Sequence, residues 1–168
     1  NIIGKTATIN FFMINDEYIY NSLNKYVPLG SKLLYDRKMN PILLKKNLVL
    51  SGDFIVNAYS FLNDDKQPSV NVKLSKIGAK NFLNYTSENV GKLMAVVYCE
   101  TISDLNKKNR VQIKEEIVSI GKIMQPLYDN FQITGLTMQE SNDLSLILRS
   151  GSLPTNIVII EEKIVGPS

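Results

Sequence analysis

Residues 128–164 read YDNFQITGLTMQESNDLSLILRSGSLPTNIVIIEEKI and carry the clearest local signals in the chain. Phe131 and Ile133 alternate with Gln132 and Thr134 up to Gly135, the pattern of a half-buried strand with a turn after it. Thr137 and Glu140 stand at capping-box spacing, so the hydroxyl can accept from the N–H three residues on while the carboxylate reaches back. Leu144, Ile147 and Leu148 form an apolar stripe, Arg149 suits the negative C-terminal end, and Gly151 offers the left-handed stop. Thr137, Glu140 and Gly151 are therefore expected structural caps. Pro154 bars continuation of the helix, and Asn156 to Ile164 reads as a strand.

A strand–helix–strand unit needs further strands to cover its apolar face. Thr6 to Ile14, rich in β-branched and aromatic residues, is one candidate, and pairing it with the terminal unit closes a sheet from the two ends of the chain. The fold class is then α+β. Residues 1–25 and 127–168 form a discontinuous base, and 26–126 an inserted head with its own small core. Between the ends, Asn15 to Gly30 reads as a long connection and Asn40-Pro41 as a turn. Ile42 to Leu50 reads as a strand whose Lys45, Lys46 and Asn47 mark a solvated edge. Ser51-Gly52-Asp53 turns into a short segment of mixed period, Phe54 to Phe61, and Asn63-Asp64-Asp65 is a loop. Val70, Val72 and Leu74 make a half-buried strand, and Ser75 caps a helix running to about Asn89, stopped by Gly91. Met94 to Cys99 is apolar throughout, as a central strand would be, and Val111 to Ile117 returns from a polar tip at 103–110. Pro28, Gly30 and Pro126 fall where base and head should join, and are expected hinge positions, with plain linkers the alternative.

Composition narrows the chemistry. With 44% hydrophobic and 21% charged residues over 168 positions, the chain can build an ordinary packed core. Histidine is absent and cysteine occurs once, which removes His-based metal sites, Ser-His and Cys-His nucleophile systems and any internal disulfide. Neither a G-x-G-x-x-G nor a Walker-type loop occurs. The acidic pairs Asp16-Glu17, Asp64-Asp65, Glu115-Glu116 and Glu161-Glu162 are adjacent residues, which in a strand face opposite ways and make no carboxylate dyad. Arg37, Arg110 and Arg149 are the only arginines, too few for a nucleic-acid groove, and Lys107, Lys108 and Arg110 read as a solvated loop tip. Cys99 reads as a small buried thiol, and Asn84-Tyr85-Thr86, in a predicted helix, is a weak glycan site. No catalytic residue, cofactor or metal is expected, and nucleic acid is not an expected partner. No apolar run approaches the ~20 residues that cross a bilayer, and the chain, lacking a start methionine, is expected to have been excised from something longer.

Several blocks line up in order with one family. Gly4-Lys5-Thr6-Ala7-Thr8-Ile9-Asn10-Phe11, Leu50-Ser51-Gly52-Asp53-Phe54-Ile55, Gly78-Ala79 to Phe82, Glu88 to Ala95, Phe131 to Gly135, Leu144 to Pro154 and Glu161 to Ser168 resemble the large periplasmic loop of the SecD family. The resemblance implies a ferredoxin-like base with an inserted head, flanked by membrane helices outside this chain, in a protein of the bacterial inner membrane with this domain facing the periplasm. It also implies a role in protein export alongside SecF and the SecYEG channel. The domain would bind the unfolded translocating preprotein and move relative to its base, while the proton-coupled residues lie in the membrane part. A docking module for a partner subunit that never touches substrate is the rival reading.

Overall fold

In a computed structural model the protein is described over residues 2–104, 111–150 and 155–159, with side chains over 7–103 and 111–149. The elements run β1 (Ile2–Ile14), β2 (Ser31–Tyr35), β3 (Pro41–Ser51), a 3-10 turn (Gly52–Phe54), β4 (Ile55–Leu62), β5 (Pro68–Leu74), α1 (Lys76–Ser87), β6 (Leu93–Asp104), β7 (Val111–Lys122), β8 (Asn130–Ile133), α2 (Met138–Ser150) and β9 (Thr155–Ile159).

β1 organises the rest because both of its faces are buried over Phe11 to Met13. Ile9, Phe11 and Met13 point into one apolar cluster, while Phe12 and Ile14 belong to a second, the alternation a strand imposes. β6 pairs with β1 over Ile3 to Met13 and repeats the division: Met94 and Val96 join the first cluster, Ala95 and Val97 the second. Two-sided burial accounts for the unbroken apolar run read in the sequence. β7 continues the sheet beyond β6, and β3 and β2 extend it on the other side, in the order β2-β3-β1-β6-β7. The sheet curls until its edges meet. Asp36, just after β2, bridges Ile117 of β7, and Lys32 reaches Glu115 at 3.0 Å while its ammonium sits 3.9 Å from the centre of the Phe12 ring. The second cluster, with Leu44 and Ile117, fills the curl.

A smaller antiparallel sheet, β4-β5-β8, covers the other face. Val70, Val72, Phe131 and Ile133 share the first cluster with Ala79 and Phe82 of α1 and Leu144, Ile147 and Leu148 of α2. The Phe131 ring meets Phe11 edge-on with centroids 5.6 Å apart and lies 5.0 Å from Phe82.

Several expectations change here. The terminal strand–helix–strand unit does not pair as a block with β1. β9 pairs antiparallel with β1 at Ile2 to Lys5, but β8 pairs with β5, because both flanks of β1 over its later residues are already taken by β3 and β6. β3 is no edge: it lies between β2 and β1. Its pairing slips from Leu48 opposite Phe12 to Leu44 opposite Ile14, so Lys45, Lys46 and Asn47 bulge out of that ladder. β5 is buried on both faces over Ser69 to Val72 because it is the middle strand of its sheet. The last expected strand beyond Ile159, the Gly151 stop and the basic tip Lys107, Lys108 and Arg110 lie outside the described residues.

Two close approaches tie α1 in. Thr86, fully buried, donates from Oγ1 to the Phe82 carbonyl at 2.8 Å and accepts from the Leu127 N–H at 2.9 Å, pinning the chain after β7 onto α1. Thr86→Val keeps the shape but leaves the Leu127 N–H without its acceptor, and is expected to cost about 1–3 kcal/mol. A lowered urea midpoint at unchanged m-value checks this, and an unchanged midpoint refutes it. At Gly78 a Cβ would stand 2.6 Å from Phe54 Cβ, an atom anchored directly to backbone. Gly78→Ala is therefore expected to destabilise, since overpacking at about 1–3 kcal/mol outweighs the helix-propensity gain of about 1 kcal/mol. A raised melting temperature would contradict it.

Candidate functional site

The strand and helix signals at residues 130–150 place α2 against β4, β5 and β1, and leave a cleft between α2 and the β1–β6–β7 face. The cleft holds about 400 Å³ and is lined by Ile9, Tyr98, Val118, Leu136, Leu144, Leu146 and Ile147, with Arg37, Glu116, Glu140 and Asp143 among them. That volume suits a few side chains of a ligand.

Each wall has a local cause. The capping box is formed: the Thr137 N–H donates to Glu140 Oε1 at 2.8 Å and the Glu140 N–H to Thr137 Oγ1 at 3.1 Å. Glu140 Oε2 pairs with Arg37. Arg37 sits on the tight β2–β3 turn, where Asp36 Oδ1 accepts from the N–H groups of Lys38 and Asn40, both at 2.9 Å. Those bonds, Asn40's first, hold the Asp36 carboxyl below the ordinary carboxylate range. On β7 the pairing with β6 jumps from Ser119 opposite Val96 to Ile117 opposite Val97, so Val118 is the extra residue of a bulge. Arg37 Nη2 donates to the Val118 carbonyl at 2.7 Å. One guanidinium thus joins the helix start, the hairpin tip and the bulge at the cleft mouth.

Tyr98 forms part of the floor. Burial first, then its hydrogen bond to Glu100 at 2.8 Å and the charges of Glu100 and Glu116, push its phenol up to about 12 from 10.0. A raised phenol pKa favours the neutral form in the folded state. The associated stability is complete below pH 10 and is lost as pH rises from there towards about 12. Phenolate absorbance should accordingly show a late ionisation that Tyr98→Phe removes; identical high-pH curves for the two proteins would refute the assignment.

Elsewhere, Cys99 is a partly buried free thiol, its pKa raised by burial and then by Glu115, against smaller opposing effects of Lys32 and Thr8. The hydroxyl of the sequon residue Thr86 is taken up in the core. Among the described residues, no group of three or more His, Cys, Asp or Glu side chains could hold a metal ion. The arrangement can enclose apolar groups beside charges.

The hinge candidates attach to different parts of the molecule. Pro28 is buried and its carbonyl accepts the Ser31 N–H at 3.0 Å; Gly30 has φ +84° and its carbonyl accepts from Lys46 at 2.9 Å. Pro126 lies between Ile123, bonded to Lys92, and Leu127, bonded to Thr86. The loop before Gly30 exposes much apolar surface: Ile19 is 71%, Leu23 95% and Leu29 100% exposed. Sequence reasoning missed Arg37, Tyr98 and Leu146 as neighbours. One trace existed, since Leu146 lies off the stripe of Leu144, Ile147 and Leu148 and remains 51% exposed.

Among the described residues no helix is long and apolar enough to cross a membrane. Residues 31–155 match the model of the SecDF P1 head subdomain. Protein translocase subunit SecD of Escherichia coli K12 is 35% identical over 174 residues, covering 99% of this chain and 28% of that protein, so the chain spans under a third of its relative. Among solved structures, that of a membrane component SecDF that enhances protein export aligns at TM-score 0.59 and 20% identity, over 96% of this chain and 70% of the other. A crystal structure of SecDF in a super-membrane-facing form aligns at TM-score 0.57 and 18% identity, over 90% and 20%. The matched head runs on past 126, where sequence reasoning divided head from base, and takes in β8 and α2.

Proposed function

Since the chain belongs to the SecD family of protein translocase subunits and carries its P1 head, we propose that it holds segments of translocating preprotein in the cleft between α2 and the β1–β6–β7 face. The observation that carries this reading is a cleft of about 400 Å³ whose apolar floor opens between charged rim residues. A translocase must grip many sequences, and an adaptable apolar cleft grips by side-chain burial rather than by sequence. In this reading the domain faces the periplasm, and the full-length inner-membrane protein, with SecF and the SecYEG channel, supplies the proton-driven motion. The ferredoxin-like base then lies mainly outside the present chain, and β1 and β9, paired at Ile2 to Lys5, are the strands by which the head reaches it.

Reorientation of the head turns on β1 and β9, because the crossing at Asn24 to Gly30 joins β1 to β2 within one sheet, where Pro28 is buried and Gly30 is bonded to Lys46. Pro126, set between pinned neighbours, turns the chain instead of swinging it. A second reading, docking onto a partner subunit, is favoured by the exposed Ile19, Leu23 and Leu29.

Anisotropy titration of a labelled, unstructured, leucine-containing peptide tests the first reading. Saturable binding is expected, weakened about tenfold by Leu146→Ser, since burying a leucine contributes about 1.5–3 kcal/mol. No saturable signal, or one insensitive to Leu146 and abolished by Leu23→Ser with Leu29→Ser, moves the function to the loop.

A further inference from the structure

We infer that the cleft prefers apolar polypeptide segments that carry a lysine or arginine beside the buried side chain. This rests on the polypeptide-holding reading and adds to it the chemistry of the segment held.

The motive is a local reversal of charge. The chain as a whole is basic, 19 Lys and Arg against 16 Asp and Glu. The cleft lining is the opposite, three carboxylates (Glu116, Glu140 and Asp143) against the single guanidinium of Arg37. Arg37 is committed twice, to Glu140 and to the Val118 carbonyl at 2.7 Å. That leaves Glu116 and Asp143 as net negative charge. Asp143 accepts from the Gln139 amide at 3.0 Å, a neutral donor that leaves its charge in place. Of the nearby lysines, Lys32 is held by Glu115 at 3.0 Å, and Lys114 shares the face of Glu116 and stands opposite Glu100 in the β6–β7 register. Tyr98, in the floor beside them, gives its hydroxyl to Glu100 at 2.8 Å. An incoming segment thus finds apolar walls from Ile9, Leu144 and Ile147 and, at the rim, carboxylates whose countercharge it must bring. A lysine or arginine can lay its methylenes along such walls while its head stays at the rim. An acidic flank meets like charge there. Rim charges of this kind act mainly on encounter and register and are screened by salt, so the preference should be modest and ionic-strength dependent.

The test uses the 168-residue chain and three labelled unstructured peptides sharing one leucine-rich centre, flanked by lysine, by serine or by glutamate. At low salt the lysine-flanked peptide is expected to bind about fivefold tighter than the serine-flanked one, with the glutamate-flanked one weakest. The ratio should shrink towards one at about 0.5 M salt, and also in a Glu116→Gln, Asp143→Asn variant at low salt. Saturable binding of all three with equal affinity overturns the charge preference and leaves the polypeptide reading standing. Failure of all three to bind overturns that reading itself. A preference that survives the double variant overturns the assignment to these carboxylates. Concentration-dependent dimerisation that excludes every peptide makes a second copy of the chain the occupant, and overturns the proposal too.

Discussion

Everything in this molecule hangs on β1, whose residues Phe11 to Met13 are buried on both faces of the strand. Phe11 and Phe12 are neighbours in sequence, yet one is the centre of the core shared with both helices and the smaller sheet, and the other fills the curl of the larger sheet. A one-residue slip of β1 would exchange the two sets, sending Phe11 into the curl and Phe12 against Phe131. The register is therefore strongly specified from both sides. In the larger sheet irregularity falls around this pairing: β3 has two shifts opposite β1, β9 has one, and β7, beyond β6, has the bulge at Val118. Those bulges bend the flanking strands enough for β2 and β7 to approach each other, where a single backbone bridge and the Lys32–Glu115 pair, rather than a ladder, join them.

How much of this was legible depends on whether the cause was local. Thr137 and Glu140 meet because four adjacent residues determine a capping box, and Ser75 caps α1 for the same reason, its Oγ accepting from the Gly78 N–H at 3.2 Å. Met94 to Cys99 read as a central strand because two-sided burial leaves no polar alternation. β2 gave no comparable sign. Leu33 and Leu34 are adjacent, and Ser31 to Tyr35 becomes a strand only because β3 folds back on it. The partner of β8 was likewise illegible: four residues with Phe131 and Ile133 on one face suit any sheet, and tertiary competition sent them to β5. The cleft was hardest to see, because Arg37, Tyr98, Glu116 and Asp143 come from four elements and meet only through the curl. The family was readable nonetheless, since ordered blocks survive where individual pairings cannot be inferred.

The position of the family boundary follows from the same packing. β8 and α2 were read as base because a strand and a capped helix near the chain end look like a separate unit. Their apolar residues Phe131, Ile133, Leu144 and Leu148 instead complete a cluster begun by Ile9 and Phe11. With Leu136 and Ile147 they are six of the twenty buried residues of that cluster, so removing them would open one side of it to water. The match to the head family, running to residue 155, takes in all six, while Ile9, Phe11 and Met13 of the same cluster precede its start at residue 31.

The cleft has its own physical logic. An apolar surface of this size left open should close by local collapse unless something holds its walls apart. Arg37 does so: it is fixed by Glu140 at the start of α2 and by the bulge carbonyl of Val118, with its own backbone set by the Asp36 turn. The strut is polar and lies at the mouth, and the Tyr98 hydroxyl in the floor is already given to Glu100, so Ile9, Leu144 and Ile147 beside it offer apolar contact. Such a division lets the framework stay rigid while the bound side chains vary, since dispersion and burial are indifferent to which apolar group supplies them. A site built the other way, with hydrogen bonds in the floor, would reject most segments by leaving buried polar groups unmatched.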